Sequence, residues 1–280
     1  MTLKLKEITA AHSPDSDDAF MFYALAQDKL DTLGLKINRI AKDIQTLNQE
    51  ALKNTYDVTA ISFAVYPEIC RHYFLTSCGA SMGENYGPVL IGKDNLSQEQ
   101  LSSARIAIPG RLTTAFLVLR LFQPNAKFVE VPFDQIIDAV ANQSVDAGLL
   151  IHEGQLTYAT KGLNKLVDLG EWWHKRTGMP LPLGGNAIRK DLGQPTIEKV
   201  TKLLRESIVY ALDNRQEALR YAMSFARDMS EDMANRYVGM YVNELTIDCG
   251  DRGRQAVKTL FDQAFSQGLL KERIVPEFAD

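Results

Sequence analysis

RIAIPGRLTTAFLVLRLF, residues 105–122, has the pattern of a strand followed by a buried helix. A short apolar run, Arg105–Ile108, stops at Pro109 and Gly110, two residues that punctuate a chain and continue neither strand nor helix well. Thr113 and Thr114 then stand where a helix begins, and the run from Ala115 to Phe122 is apolar on almost every side, as in a helix buried in a core. A buried strand feeding a buried helix through a tight turn opens a crossover unit, and crossover units build parallel sheets. The free N–H groups and positive dipole end of such a helix attract an anion, and threonine hydroxyls add donors, so residues 110–115 suit a carboxylate or a phosphate. A single threonine capping the helix accounts for the same residues without a ligand. The lysine of a phosphate loop is missing from the spacing.

The same rhythm runs outward from this stretch. Strands are expected at Ile8–Ala11, Leu35–Ile40, Val58–Ile61, Val89–Ile91, Phe128–Val131, Ala147–Ile151 and Leu166–Leu169, with helices between them, in a largely parallel α/β arrangement. After residue 193 the pattern turns to helix upon helix. Ile197, Val200, Leu204, Ile208 and Ala211 form one apolar stripe, Val257, Leu260, Phe261, Ala264 and Phe265 another, and Glu231–Tyr241 a further helix; Gly268 fits a stop. Helical tails of this kind pack back on the first lobe, so two lobes are expected: 1–102 with 193–280, and 103–192. The stretch 167–193, rich in Trp, Pro and Gly, reads as a well-packed loop at an interlobe crossing or a lid edge.

An internal echo joins EALKNTYDVTAIS, residues 50–62, to IIDAVANQSVDAGLLIH, residues 136–152. Each is a helix, a polar break, an aspartate and a buried strand ending in a polar residue, Ser62 or His152. Ligands of open α/β sheets bind beyond the carboxyl ends of strands, which brings both side chains into consideration. A lone histidine after a buried strand is more often structural than catalytic, and Glu153 beside it fits a surface position. His72 and His174 have weaker claims. Near the start, HSPDSDDAFMFYAL, residues 12–25, sets Asp15, Asp17 and Asp18 at another helix start, where Ser16 or Asp17 would be an ordinary N-cap. Oxygen ligands for a metal are present there, but no second cluster completes a site, and no metal is expected.

Composition excludes several classes. The 280 residues are 45% apolar and carry a net charge of -4, so the chain can fill a core and has no basic surplus for nucleic acid or anionic lipid. Three cysteines, Cys70, Cys78 and Cys249, without CxxC spacing, fit packing roles in a reducing compartment. The first eight residues alternate charged with apolar, unlike a secretion signal, and no apolar run reaches the ~20 residues of a membrane span. A cytoplasmic protein with a small-molecule partner is expected.

Seven segments together resemble the 1,4-dihydroxy-6-naphthoate synthase family of the futalosine route to menaquinone: SPDSDDAFMFYAL, DIQTLNQEAL, TAISFAVYPEI, GENYGPVL, IPGRLTTAFLVL, GLLIHEGQLTY and LGEWWHKRTGMPLPLG. The resemblance covers essentially the whole chain, and its last three segments are specific in combination. It implies a two-lobe fold like the type II periplasmic binding proteins, with a small carboxylate substrate held between the lobes and no cofactor. It also implies His152 as proton acceptor, Ala60, Ile61 and Ser62 as a ligand-touching loop, Thr114 with Ala115 as the helix-start contact beside Thr113, and Asp18 as the surviving residue of the first motif. That motif departs from the family, which has Cys-Pro-Asn-Asp-Thr where this chain has Asp15, Ser16, Asp17, Asp18 and Ala19. Carboxylate and methyl there replace amide and hydroxyl, removing donors and adding negative charge. Two alternatives share the expected fold: a chorismate dehydratase-like enzyme, and a binding protein for small acids without catalysis.

Overall fold

A computed structural model describes residues 5–225 and 230–279. Its strands, in chain order, are β1 (Lys6–His12), β2 (Leu35–Ala41), β3 (Val58–Ser62), β4 (Tyr73–Thr76), β5 (Ser81–Gly83), β6 (Val89–Gly92), β7 (Arg105–Ile108), β8 (Lys127–Glu130), β9 (Ala147–Leu150), β10 (Asn164–Asp168), β11 (Leu181–Arg189) and β12 (Phe278–Ala279). The chain divides into two compact units: Met1–Ser81 with Gly184–Arg254 and Val275–Asp280, and Met82–Leu183 with Gln255–Ile274.

In the first unit the strands run in the order β12-β4-β11-β3-β1-β2. β1 is parallel to both β2 and β3, while β11 lies antiparallel between β3 and β4. All five residues of β3, VTAIS, are buried, the unbroken pattern of a strand covered on both faces. One face packs Ile8, Ala10 and Val58 under the helix Gln194–Asp213, whose Ile197, Val200, Leu204, Ile208 and Ala211 form the stripe read from the sequence. Full burial of each larger apolar side chain there contributes roughly 1.5–3 kcal/mol. The other face packs Ala11 and Ala60 against Leu47 of the helix Ile44–Ala51 and against Tyr56.

In the second unit the order is β10-β6-β9-β7-β8. β7 is parallel to β8 and β9, and β6 lies antiparallel between β9 and β10. Ile136 and Val140, from the helix Ile136–Ala141, cover Val89, Ile91, Ala107 and Leu150. The order β8-β7-β9-β6 repeats β2-β1-β3-β11, three parallel strands and then one antiparallel, so the two units share one strand plan.

Several expectations change. Both sheets are mixed rather than largely parallel, because β6 and β11 run against their neighbours. The units divide after Ser81 and after Leu183, where the sequence rhythm put the crossings near 102 and 193; β6 hydrogen-bonds to β9 and β10, and β11 to β3 and β4, which assigns residues on either side. The helix residues Val257, Leu260, Phe261 and Ala264 are buried as expected, but Gln255–Ile274 belongs to the second unit, where Gln263 accepts from Arg176 at 3.1 Å. The stretch 167–193 is not a loop. Asp168 caps a helix, Leu169–Thr177, by accepting from Gly170 N at 2.8 Å and Glu171 N at 3.1 Å; Gly178 ends it at φ 69°, and β11 follows.

Candidate functional site

In the second unit, the carboxyl ends of the parallel neighbours β8, β7 and β9 converge. The turn after β7 leads into the helix Thr114–Phe122, with Thr113 as its N-cap. The Thr113 hydroxyl accepts from Phe116 N at 3.2 Å and donates to Gly110 O at 2.8 Å, so the capping role is the realised one for this side chain. The Thr114 hydroxyl donates to Leu183 O at 2.6 Å. Ala115, 3% exposed, sits in the first turn, where its N–H lies ahead of the intrahelical ladder. An anion placed at this helix start would therefore meet backbone amides rather than the Thr113 hydroxyl.

His152 lies two residues beyond the end of β9. Its φ of 57° is left-handed, a conformation that costs a residue with a Cβ roughly 1–2 kcal/mol. The Phe133 ring, from the segment after β8, meets the imidazole edge-on at 5.1 Å between centroids. His152 O accepts from Gln155 N at 3.2 Å, which turns the chain into the short helix Gly154–Thr157. Glu153, expected at the surface, has its Oε2 buried without a hydrogen-bond partner among the described residues.

In the first unit, β1, β2 and β3 end together in the same way. Ala60, Ile61 and Ser62, a ligand-touching loop by the resemblance but a strand and its polar end by the residue pattern, are the last residues of β3: Ala60 joins the Leu47 and Tyr56 cluster, Ile61 is fully buried opposite Gly185, and only Ser62 stands at the strand end. The Asn48 amide holds Ser62 at two points, with Ser62 N donating to Oδ1 at 2.8 Å and Nδ2 donating to Ser62 Oγ at 3.0 Å. Asn48 is not among the residues that the sequence pattern points to. Its signal is a fully buried polar residue beside Leu47 on the inward stripe of the helix Ile44–Ala51.

After β1 the acidic motif folds on itself. Asp18 Oδ2 accepts from Ser13 N at 2.8 Å, and Asp15 Oδ2 accepts from Ser13 Oγ at 2.5 Å. Asp15, not Ser16 or Asp17, is the N-cap of the helix Ser16–Met21, and it makes no side-chain cap bond. Burial, then the neighbouring Asp18 and Asp15, push the Asp17 carboxyl well above the usual carboxylate range. His12 Nδ1 lies 2.7 Å from Ser13 O. Since a carbonyl only accepts, Nδ1 carries the hydrogen, and burial lowers the pKa of the ring, which stacks on Phe22 at 4.3 Å. A groove of about 450 Å³ beside β2 is lined by His12, Arg39, Tyr221 and Phe225 among others, and by none of the residues singled out from the sequence for ligand binding. Among the described residues no cluster of three His, Cys, Asp or Glu side chains could hold a metal, and no helix is long and apolar enough to cross a membrane.

Comparison with known proteins agrees with this architecture. A family model described as menaquinone biosynthesis matches residues 8–266. The 1,4-dihydroxy-6-naphthoate synthase of Thermus thermophilus is 37% identical over 265 residues, spanning 95% of this chain and 96% of its own. That of Streptomyces coelicolor is 34% identical and spans 93% of each. Among solved structures, a protein of Archaeoglobus fulgidus superimposes with a TM-score of 0.91 at 46% identity, covering 94% of this chain and 98% of its own. A Candida albicans protein described as having the generic periplasmic binding protein fold gives a TM-score of 0.73 at 16% identity, over 96% and 92%. The alkanesulfonate-binding protein SsuA of Xanthomonas axonopodis gives 0.72 at 10% identity over 98% of each chain, a likeness of fold alone. With a mixed α/β fold like that of the periplasmic binding proteins and the family model matched over residues 8–266, this chain belongs to the menaquinone-biosynthesis family that includes the 1,4-dihydroxy-6-naphthoate synthases.

Proposed function

We propose that the protein is a lyase that converts cyclic dehypoxanthinyl futalosine to 1,4-dihydroxy-6-naphthoate, with His152 as the proton acceptor. The observation that carries this reading is the backbone at His152: a histidine kept in a left-handed conformation at the carboxyl end of β9, next to the strand end that feeds the Thr114–Phe122 helix. Strain of this kind persists where surrounding structure enforces it, and a site that must aim an imidazole supplies a reason.

In this reading the amides of Thr114 and Ala115, at the positive end of the helix, hold a substrate carboxylate, and the Thr114 hydroxyl adds a polar contact. Thr113 acts indirectly by fixing that helix start. His152 removes a substrate proton, and the electrons released drive carbon-carbon fragmentation towards the naphthoate. Histidine suits the step because its charge change falls nearest physiological pH, which makes proton uptake and return facile. Ser62, at the end of β3, contacts the substrate through its hydroxyl. The chemistry proposed uses protein side chains and needs no cofactor.

The test follows naphthoate formation from the cyclic futalosine derivative by His152→Ala. Loss of a general base lowers turnover by about 10²–10⁴-fold, and chorismate offered in parallel should be left unchanged. Wild-type turnover by His152→Ala would remove the role assigned to His152, and dehydration of chorismate would move the protein to the sister activity.

A further inference from the structure

We infer that Asn48 is a positioning residue that locks Ser62 into the role of hydrogen-bond donor to the bound substrate; this rests on the substrate contact proposed for Ser62. Chemistry fixes the orientation of the Asn48 amide. Ser62 N–H can only donate, so the atom 2.8 Å from it is the carbonyl Oδ1. The atom 3.0 Å from Ser62 Oγ is then the amide Nδ2, which also can only donate. Ser62 Oγ must therefore accept from Asn48, and the serine proton cannot lie along that line.

Among the described residues no acceptor takes that proton, although Ser62 is only 5% exposed. A hydroxyl has one donor and two acceptor directions, so committing one lone pair to Asn48 leaves the O–H to turn elsewhere. Asn48 itself has no freedom to follow. It is fully buried on the helix Ile44–Ala51, whose start is fixed by Asp43 accepting from Thr46 N at 3.0 Å, and whose Leu47 is packed against Ala11, Tyr56 and Ala60. The backbone of Ser62 is fixed as well, through its pairing with Gly184 of β11. Both partners of the amide-hydroxyl contact are thus anchored before any ligand arrives. Preorganisation of this sort lowers the cost of ordering a donor when the ligand binds. A purely structural polar pair would close on itself, with the serine proton given to the asparagine carbonyl; here the asparagine atom that faces Ser62 Oγ is Nδ2, which only donates.

Asn48→Asp tests the inference because it keeps size and keeps an acceptor for Ser62 N–H, while replacing the Nδ2 donor by a second acceptor. Assayed in alkaline buffer, where the introduced carboxyl is ionised, it draws the Ser62 proton towards itself and away from substrate. Losing one hydrogen bond to substrate is expected to raise KM roughly tenfold with kcat little changed, as in Ser62→Ala. In the double variant Asn48→Asp/Ser62→Ala, KM should differ less than about twofold from Ser62→Ala alone, because the two changes remove one interaction. Wild-type KM in Asn48→Asp, or an equal factor added on the Ser62→Ala background, would overturn the inference. Neutron diffraction of the deuterated wild-type protein gives a readout that needs neither turnover nor a folded variant: the deuteron on Ser62 Oγ should point away from Asn48, and a deuteron between the two residues would overturn it. A wild-type protein with no activity on the futalosine derivative would instead sink the function proposed above, while the deuteron would still decide the geometry.

Discussion

At the scale of single residues, His152 and Thr113 illustrate opposite relations between stability and site. His152 holds φ at 57°, where glycine rests without strain, so replacing it by glycine should relieve the backbone while removing the imidazole. His152→Gly is expected to unfold at higher urea concentration than His152→Ala, by roughly 1 kcal/mol, with both inactive. Equal midpoints would show that the left-handed backbone carries no strain. Thr113 has the reverse profile. Its hydroxyl is engaged by Phe116 N and Gly110 O, so Thr113→Ala should cost about 1 kcal/mol of stability through the lost cap. Thr113→Ser, which retains the oxygen, should recover most of it. Urea titration of the pair checks this, and a selective loss of substrate affinity without loss of stability would return Thr113 to the binding residues.

At the scale of elements, the sequence echo between residues 50–62 and 136–152 has a physical basis in how each parallel strand is anchored. Asp57, just before β3, accepts from Thr9 N and Thr9 Oγ1, both at 2.8 Å, and so ties β3 to β1. Asp146, just before β9, accepts from Arg105 N at 2.7 Å and ties β9 to β7. The polar breaks ahead of them turn through left-handed Asn54 and Gln143. These features are local and were legible from one chain segment at a time. The strands missed, β4, β5, β11 and β12, pair only with distant segments, and β11 contains Pro182, Gly184 and Gly185, which read as breakers. Gly185 is required by packing: a Cβ there would come within 2.9 Å of the Phe63 ring, a constraint invisible without the fold. The two aspartates should differ in weight. Asp57 is half-buried and takes two donors, so Asp57→Ala is expected to cost about 1.5–3 kcal/mol, and the exposed Asp146→Ala about 1 kcal/mol or less. Equilibrium denaturation of both variants measures the difference, and the reverse order would refute this account of the strand ties.

At the scale of the whole molecule, the buried acidic motif after β1 makes the stability of the fold depend on pH. The resemblance implies asparagine in the family where this chain has Asp17, and such an exchange by itself removes a donor and adds negative charge. Burial, then the neighbouring Asp18 and Asp15, instead raise the Asp17 pKa, which favours the protonated carboxyl, whose O–H can donate as an amide N–H does. The sign of the consequence is definite. A carboxyl whose folded pKa exceeds its unfolded value of ~3.9 contributes stability in full below that value and loses it as pH rises through the folded pKa. His12 acts in the other direction: burial lowers its folded pKa below ~6.5, so its contribution is complete above that value and is lost as pH falls through the folded pKa. Asp17→Asn installs the neutral family residue and removes the first of these dependences without touching the second. The variant is expected to melt a few degrees above wild type in neutral and mildly alkaline buffer, with the gap closing as the pH is lowered towards 4. Thermal unfolding followed at a series of pH values tests this directly. A gap that stays constant across the series would mean that Asp17 is not the titrating group, and a variant less stable than wild type at every pH would mean that a hydrogen bond specific to the carboxyl outweighs the cost of burying it.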